Sequence, residues 1–157
     1  MNELIIFTAE YVFLANVIIW GIYLLRHQSN QKVRFIIYTL VAAALALALA
    51  KTGNYFFDNP RPFVVQQVAP LIAHEADNGF PSDHTLITAF LAFVVFFKNR
   101  RWGAVMLIVA LAVGASRVAA LVHHPLDIAG SFVFAAMGVA IAWWADNQYS
   151  KRSQSQA

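Results

Sequence analysis

The stretch LIIFTAEYVFLANVIIWGIYLL, residues 4–25, decides the fold. It runs for 22 residues with one charge, Glu10. About 20 mostly apolar residues, wound as a helix, cross the hydrocarbon core of a bilayer. Phe35 to Phe57 repeats the pattern over 23 residues, again with one charge, Lys51. Leu126 to Ala145 gives a further 20. Thr85 to Phe97 and Trp102 to Ala115 are apolar but short, and the second resumes past Ser116-Arg117 to Val122. The expectation is an all-α fold: an integral membrane helical bundle of about five transmembrane helices, six if another precedes the chain. It forms one domain over residues 1–157, with a polar tail from about residue 147 that is frayed over Lys151 to Ala157.

Composition agrees. Of 157 residues, 60% are hydrophobic and 12% charged, about half the charged share of a soluble domain. A soluble domain of this length could not hide so much apolar surface. Disorder and an ordinary soluble fold are excluded. With no cysteine, so are disulfides and thiolate metal sites. The net charge of +3 is too small to argue for nucleic acid.

Where the charges sit says more. Arg26, Lys32 and Arg34 follow the first apolar run, Lys98, Arg100 and Arg101 the third, and Lys151 and Arg152 the last. These eight of eleven Lys and Arg fall on one side, which is cytoplasmic by the positive-inside rule. The N-terminus is then outside and the C-terminus inside. No basic segment precedes the first run, so no cleaved signal peptide is expected. The one long connection, Asp58 to Asp83, lies outside and holds four of the five prolines. Loops of that length are usually functional or disordered.

Ionisable residues at membrane depth are costly and mark a functional site. They form three clusters, all at the outer ends of helices. The first is Asn59-Pro60-Arg61-Pro62. The second is Pro81-Ser82-Asp83-His84. The third is Ser116-Arg117, then His123 after five residues, then Asp127 after three more. Two arginines can grip a phosphate through charge-assisted hydrogen bonds. A serine hydroxyl and N–H groups at a helix N-terminus add donors. A histidine held by a carboxylate is a better nucleophile, and a second histidine can protonate a leaving oxygen. These are the parts of a phosphoryl-transfer site working through a phosphohistidine.

The clusters resemble the phosphatidic acid phosphatase type 2 / haloperoxidase superfamily, whose pattern is K-x6-R-P, P-S-G-H and S-R-x5-H-x3-D. The third motif matches in full. The P-S-D-H form, with Asp83 in place of glycine, is similar to bacitracin-resistance-type undecaprenyl-diphosphate phosphatases. The resemblance implies that His123 is the nucleophile and Asp127 its orienter. His84 would be the general acid, then the base for water. Arg61, Ser82 and Arg117 would hold the phosphoryl group. The family lysine would stand where this chain has Asn54. Lys51 lies three residues earlier on the same helix face, with the reach to snorkel outward. Asp83 joins the substrate-binding candidates because it stands beside the pocket.

The implied activity is a phosphatase on a membrane lipid diphosphate in the bilayer, most specifically undecaprenyl diphosphate. That would recycle the carrier lipid of cell-wall synthesis and lower bacitracin sensitivity. Placement is the bacterial plasma membrane, with the site facing outside. A broader phosphatase acting on phosphatidylglycerol phosphate or phosphatidic acid is the alternative within enzymes. A non-catalytic phospholipid-binding or transport protein would not need His84 or the His123–Asp127 spacing. Haloperoxidase chemistry usually sits on soluble helical proteins. Zinc on His84, His123 and Asp127 is disfavoured by the two arginines beside them, so neither metal nor cofactor is expected. A bell-shaped pH–rate profile is expected from the two histidines.

Other residues stay open. Glu10 and Lys51 each lie about 9 Å below the outer ends of their helices. Glu10 either simply pairs with Lys51 or steers it in the cavity. His27 reads as a cytoplasmic loop residue. His124 reads as a neighbour of the site. His74 and Glu75 are loop residues, solvated or at the rim. The 13 phenylalanines read as lipid-facing or interfacial. The Ala-rich run Val41 to Ala50 suits close helix packing.

Overall fold

The computed structural model describes residues 1–26 and 28–154, so His27 lies outside the described residues. These form seven helices: α1 (Asn2–Tyr11), α2 (Phe13–Leu25), α3 (Ser29–Phe56), α4 (Pro62–Gln66), α5 (Asp83–Phe96), α6 (Arg100–Ala119) and α7 (Pro125–Gln154). α1 and α2 meet at Val12, whose backbone stays right-handed helical, so the two act as one span. Four stretches are long and apolar enough to cross a membrane: Asn2–Leu25, Gln31–Phe56, Arg100–Ala119 and Pro125–Arg152. The fifth expected helix, α5, has 14 residues, which is about 21 Å.

The length of α5 follows from its place. Thr85, Leu86, Thr88, Ala89, Leu91, Ala92, Val94 and Val95 are all buried. α5 packs against α6, α7 and α2. A helix walled in by protein need not match the thickness of the bilayer, because its ends find partners inside the bundle. Its first turn carries Asp83 and His84.

The bundle is apolar on its surface and buries polar side chains within a largely apolar core. Leu25, Leu40, Ile108 and Leu111 are exposed, while Asn16, Thr88, Ser131 and Asp127 are buried. Lipid is the solvent that tolerates this arrangement. Inside, polar groups bind the helices together. Asn16 Nδ2 donates to the Thr88 carbonyl (3.1 Å) and the Met106 carbonyl (3.0 Å), joining α2 to α5 and α6. The phenylalanines divide: Phe7, Phe56 and Phe57 face outward, whereas Phe35 and Phe80 are buried, so the expectation of a lipid-facing belt holds only in part. Large rings also fill gaps between helices that small residues alone would leave open.

At the end carrying the basic residues, Asp146 is a three-way clip. Arg34 Nε donates to Asp146 Oδ1 and Lys98 Nζ to Oδ2, both at 2.8 Å. Arg34 also donates to the Asp146 carbonyl (3.2 Å) and to the Ser150 hydroxyl. The clip fixes the last turns of α7 against α3. α7 runs helical through the start of the polar tail to Gln154, and residues 155–157 lie outside the described residues.

α3 and α7 approach closely through small residues. A Cβ on Gly138 would stand 2.6 Å from the backbone nitrogen of Ala46, and backbone has little room to yield. Gly138→Ala is expected to destabilise the bundle by about 1–3 kcal/mol. Thermal unfolding in detergent checks this, and an unchanged midpoint would contradict the close contact.

Candidate active site

The three motifs meet at the opposite end, where α3 and α6 finish and α5 and α7 begin. Asp127 is the innermost member, fully buried in the first turn of α7. Its Oδ1 accepts from Asn59 Nδ2 at 2.6 Å. Its Oδ2 accepts from the His124 N–H at 2.7 Å and faces His123 Nδ1 at 3.4 Å. A buried carboxylate needs such donors, because water cannot supply them.

The surroundings of His123 define its protonation. Nδ1 lies 2.9 Å from the Gly79 carbonyl as well as near Asp127. Both neighbours are acceptors, so Nδ1 carries the proton. Nε2 lies 3.3 Å from Arg61 Nη1, which can only donate, so Nε2 keeps its lone pair. That is the tautomer a nitrogen nucleophile requires. Burial pushes the imidazole below its ordinary value, and the charges of Arg61 and Arg117 push the same way, against the pull of Asp127. His123 is therefore neutral at pH 7.

A strained turn presents this ring. Leu121 has φ 63°, in the left-handed region, which costs a non-glycine residue about 1–2 kcal/mol. The turn is held from both sides. Phe63 N–H donates to the Leu121 carbonyl (3.1 Å) and Arg61 Nη1 to the Val122 carbonyl (2.8 Å).

Arg61 precedes α4 and is buried. Its Nε donates to Asp77 Oδ1 at 2.8 Å, and that hydrogen bond holds the Asp77 carboxyl below the usual carboxylate range. Arg117, in the last turn of α6, is 2% exposed. Its Nε has no partner, and among the described residues its guanidinium makes no hydrogen bond or ion pair. His84 is half-buried, with its ring edge-on to Phe13 at 5.4 Å between centroids. Arg61, Arg117, His84, His123, Lys51 and Asp83 all line one cavity of about 370 Å³.

Of three further expected residues, Asn54 lines this cavity, and Ser82 and Glu10 do not. Ser82 is fully buried behind the cavity wall, its hydroxyl accepting from Thr85 Oγ1 (3.1 Å). Asn54 reaches the cavity, but its amide donates to the Phe80 carbonyl (2.6 Å), which fastens α3 to the loop before α5. Glu10 forms no ion pair with Lys51 among the described residues. α1 packs on α6, so the field of Glu10 acts on Arg117 and His84 instead. Equal depth placed Glu10 and Lys51 at one level but not on one side of the bundle.

Sequence reasoning passed over Gly79, Asp77 and Asn78, and did not single out Asn59 within its cluster. Asn78 Oδ1 accepts from the N–H groups of Asn59 (3.1 Å) and Phe80 (2.9 Å), which ties the two ends of the outer loop together. A Cβ on Gly79 would lie 3.1 Å from both Asp127 Oδ2 and the Asn59 carbonyl. The available signal was the length of the loop, which says nothing about which of its residues turn inward.

Fold and site together define a helical membrane protein that encloses cationic side chains beside a buried histidine. The chain belongs to the PAP2 superfamily, which it matches over residues 34–152. It is 33% identical over 145 residues to the bacitracin transport permease protein BcrC of Bacillus licheniformis, covering 92% of this chain and 71% of that one. It is 32% identical over 136 residues to the undecaprenyl-diphosphatase BcrC of Bacillus subtilis, covering 86% and 69%. Among solved structures, LpxE of Aquifex aeolicus shares the fold, with a TM-score of 0.66 and 22% identity over 90% of this chain and 86% of that one.

His123 is expected to titrate below the ordinary imidazole value of about 6.5. Asp127→Asn removes a group that favours the imidazolium and should lower it further. Arg61→Gln removes a repelling cation and should raise it. Nitrogen NMR of labelled histidine against pH measures both, and shifts of the opposite sign would contradict the assigned contacts.

Proposed function

We propose that this protein is a membrane lipid phosphatase that hydrolyses undecaprenyl diphosphate to undecaprenyl phosphate and inorganic phosphate. One observation carries the reading. Among the described residues Arg117 is buried without a hydrogen bond or ion pair, in the cavity that the nucleophilic nitrogen of His123 borders. A buried cation with no partner is costly, and a phosphoryl group supplies the missing counter-charge.

The chemistry follows from the protonation of His123. Nε2 attacks the terminal phosphorus, displacing Arg61 Nη1 from its lone pair onto a phosphoryl oxygen. The bond from phosphorus to the leaving oxygen breaks, and His84 gives that oxygen a proton. His84 then takes a proton from water, whose oxygen attacks the phosphohistidine. The P–N bond breaks, inorganic phosphate leaves, and His123 recovers its lone pair. Asp127 and the Gly79 carbonyl hold the Nδ1 proton throughout. Arg61, Arg117 and Lys51 supply the charge stabilisation that does most of the work in phosphoryl transfer.

The lipid part of the substrate has a place too. An apolar groove of about 210 Å³ runs between α3 and α5, lined by Ala43, Ala46, Leu47, Leu86, Ile87, Phe90 and Leu91. Leu47 and Leu86 also line the phosphoryl cavity, so groove and cavity adjoin. A chain lying there would bring its headgroup up to His123. The naming of a relative as an undecaprenyl-diphosphatase supports the polyprenyl tail. The basic end of the bundle supports a plasma-membrane orientation with the site on the outer face. The product would return to cell-wall synthesis, and bacitracin sensitivity would fall.

The test is phosphate release from undecaprenyl diphosphate in detergent with EDTA present. The wild type should turn over. His123→Ala should lose at least a thousandfold, and His84→Ala about 10²–10⁴-fold. The acid limb of the rate profile should lie below about pH 6.5, because the low value of His123 keeps it unprotonated. Release from phosphatidic acid but not from undecaprenyl diphosphate would overturn the substrate. Full activity in His123→Ala, or loss with EDTA alone, would overturn the mechanism.

A further inference from the structure

His74 lies on the outer loop, yet it is a wall of the same cavity as Arg61, Arg117 and His123. Its ring stands edge-on to that of His123, with centroids 6.0 Å apart. The loop does not leave it free. On one side, Leu71 N–H donates to the Ala120 carbonyl (3.1 Å), and Ile72 is buried against Ala9, Ala120 and Val122. On the other side, Asp77 is bonded to Arg61 and Asn78 ties the loop base. The imidazole is thus held in place from both flanks.

Its two nitrogens differ. Nδ1 is enclosed and has no hydrogen-bond partner. An enclosed lone pair without a partner is tolerated better than an enclosed N–H. The neutral ring therefore carries its proton on Nε2, the nitrogen left to meet a ligand. The ring is neutral, because burial and the charges of Arg61 and Arg117 push its pKa down to about 4, with His123 adding to them and Asp77 opposing. A neutral donor among cations suits an anion that the cations already attract.

We propose that His74 is a substrate-binding residue whose Nε2–H donates a hydrogen bond to the phosphoryl group held between Arg61, Arg117 and His123. The proposal rests on the phosphatase reading and adds a contact from the outer loop to it. The contact is to the group being transferred, so inorganic phosphate, the product, should feel it as the lipid diphosphate does.

The test is calorimetric binding of inorganic phosphate to the detergent-solubilised protein, alongside KM for undecaprenyl diphosphate. Phosphate binding needs no turnover, so failure here is distinct from failure of the phosphatase reading. His74→Leu should weaken phosphate binding about tenfold or more, as expected for a lost hydrogen bond to a charged group. KM should rise by a similar factor, with kcat changing less. His74→Gln places an N–H near the Nε2 position and should recover most of the affinity. Wild-type phosphate affinity in His74→Leu would overturn the proposal, as would a loss in His74→Gln equal to that in His74→Leu. If the Leu variant does not fold, His74→Glu replaces it. A carboxylate there should bind phosphate at least tenfold more weakly than His74→Gln, and equal affinities would overturn the proposal. No phosphate binding by the wild type would overturn it as well.

Discussion

A carboxylate sealed from solvent must take all its hydrogen bonds from the protein, and the arrangement around Asp127 follows from that need. Asn59 comes from the segment after α3, the His124 N–H from the start of α7, and the His123 ring from the turn between α6 and α7. His123 and His124 are consecutive, so two separate stretches of chain are brought to one atom pair. The same contacts leave Nε2 of His123 as the one ring nitrogen with a lone pair, facing the cavity. Structure and reactivity therefore have one source here. Gly79 shows how tight the arrangement is, since its carbonyl meets His123 and its Cα has no room for a side chain beside Asp127.

The two ends of the bundle handle charge in opposite ways. At the basic end, Asp146 takes up both Arg34 and Lys98, so the cations serve to lock α3, α5 and α7 together. At the other end, Arg61 is partly engaged with Asp77, while Arg117 is buried with no hydrogen bond or ion pair among the described residues. The first arrangement is complete without a ligand. The second leaves a buried cation for a ligand to neutralise, which is the basis of the proposed phosphate site. The cavity adjoins an apolar groove between α3 and α5.

Much of this was legible in the sequence, for reasons of range. Apolar runs of 20 or more residues have one stable use in a membrane, so the long helices could be read directly. His123 and Asp127 stand at the spacing of the family motif, so their pairing could be read from the resemblance, although His123 lies in the turn before α7. Arg61, His84 and Arg117 could be placed because each ends or begins a helix of known direction. Glu10 and Lys51 show the limit. Rise per residue gave their depth, but only the packing of α1 on α6 decided which neighbours Glu10 would have.

The sequence by itself determined that the chain is a membrane helical bundle and that its polar motifs gather at one end. Hydrophobic length and helical period carry that information, and both are properties of neighbouring residues. Only the tertiary structure decided that Ser82 is sealed behind the wall, that Asn54 fastens a loop, and that Asn59, Gly79, Asp77 and His74 belong to the site. Those outcomes depend on how a long irregular loop closes over the bundle. Its path is set by hydrogen bonds between residues far apart in sequence, which no periodicity records.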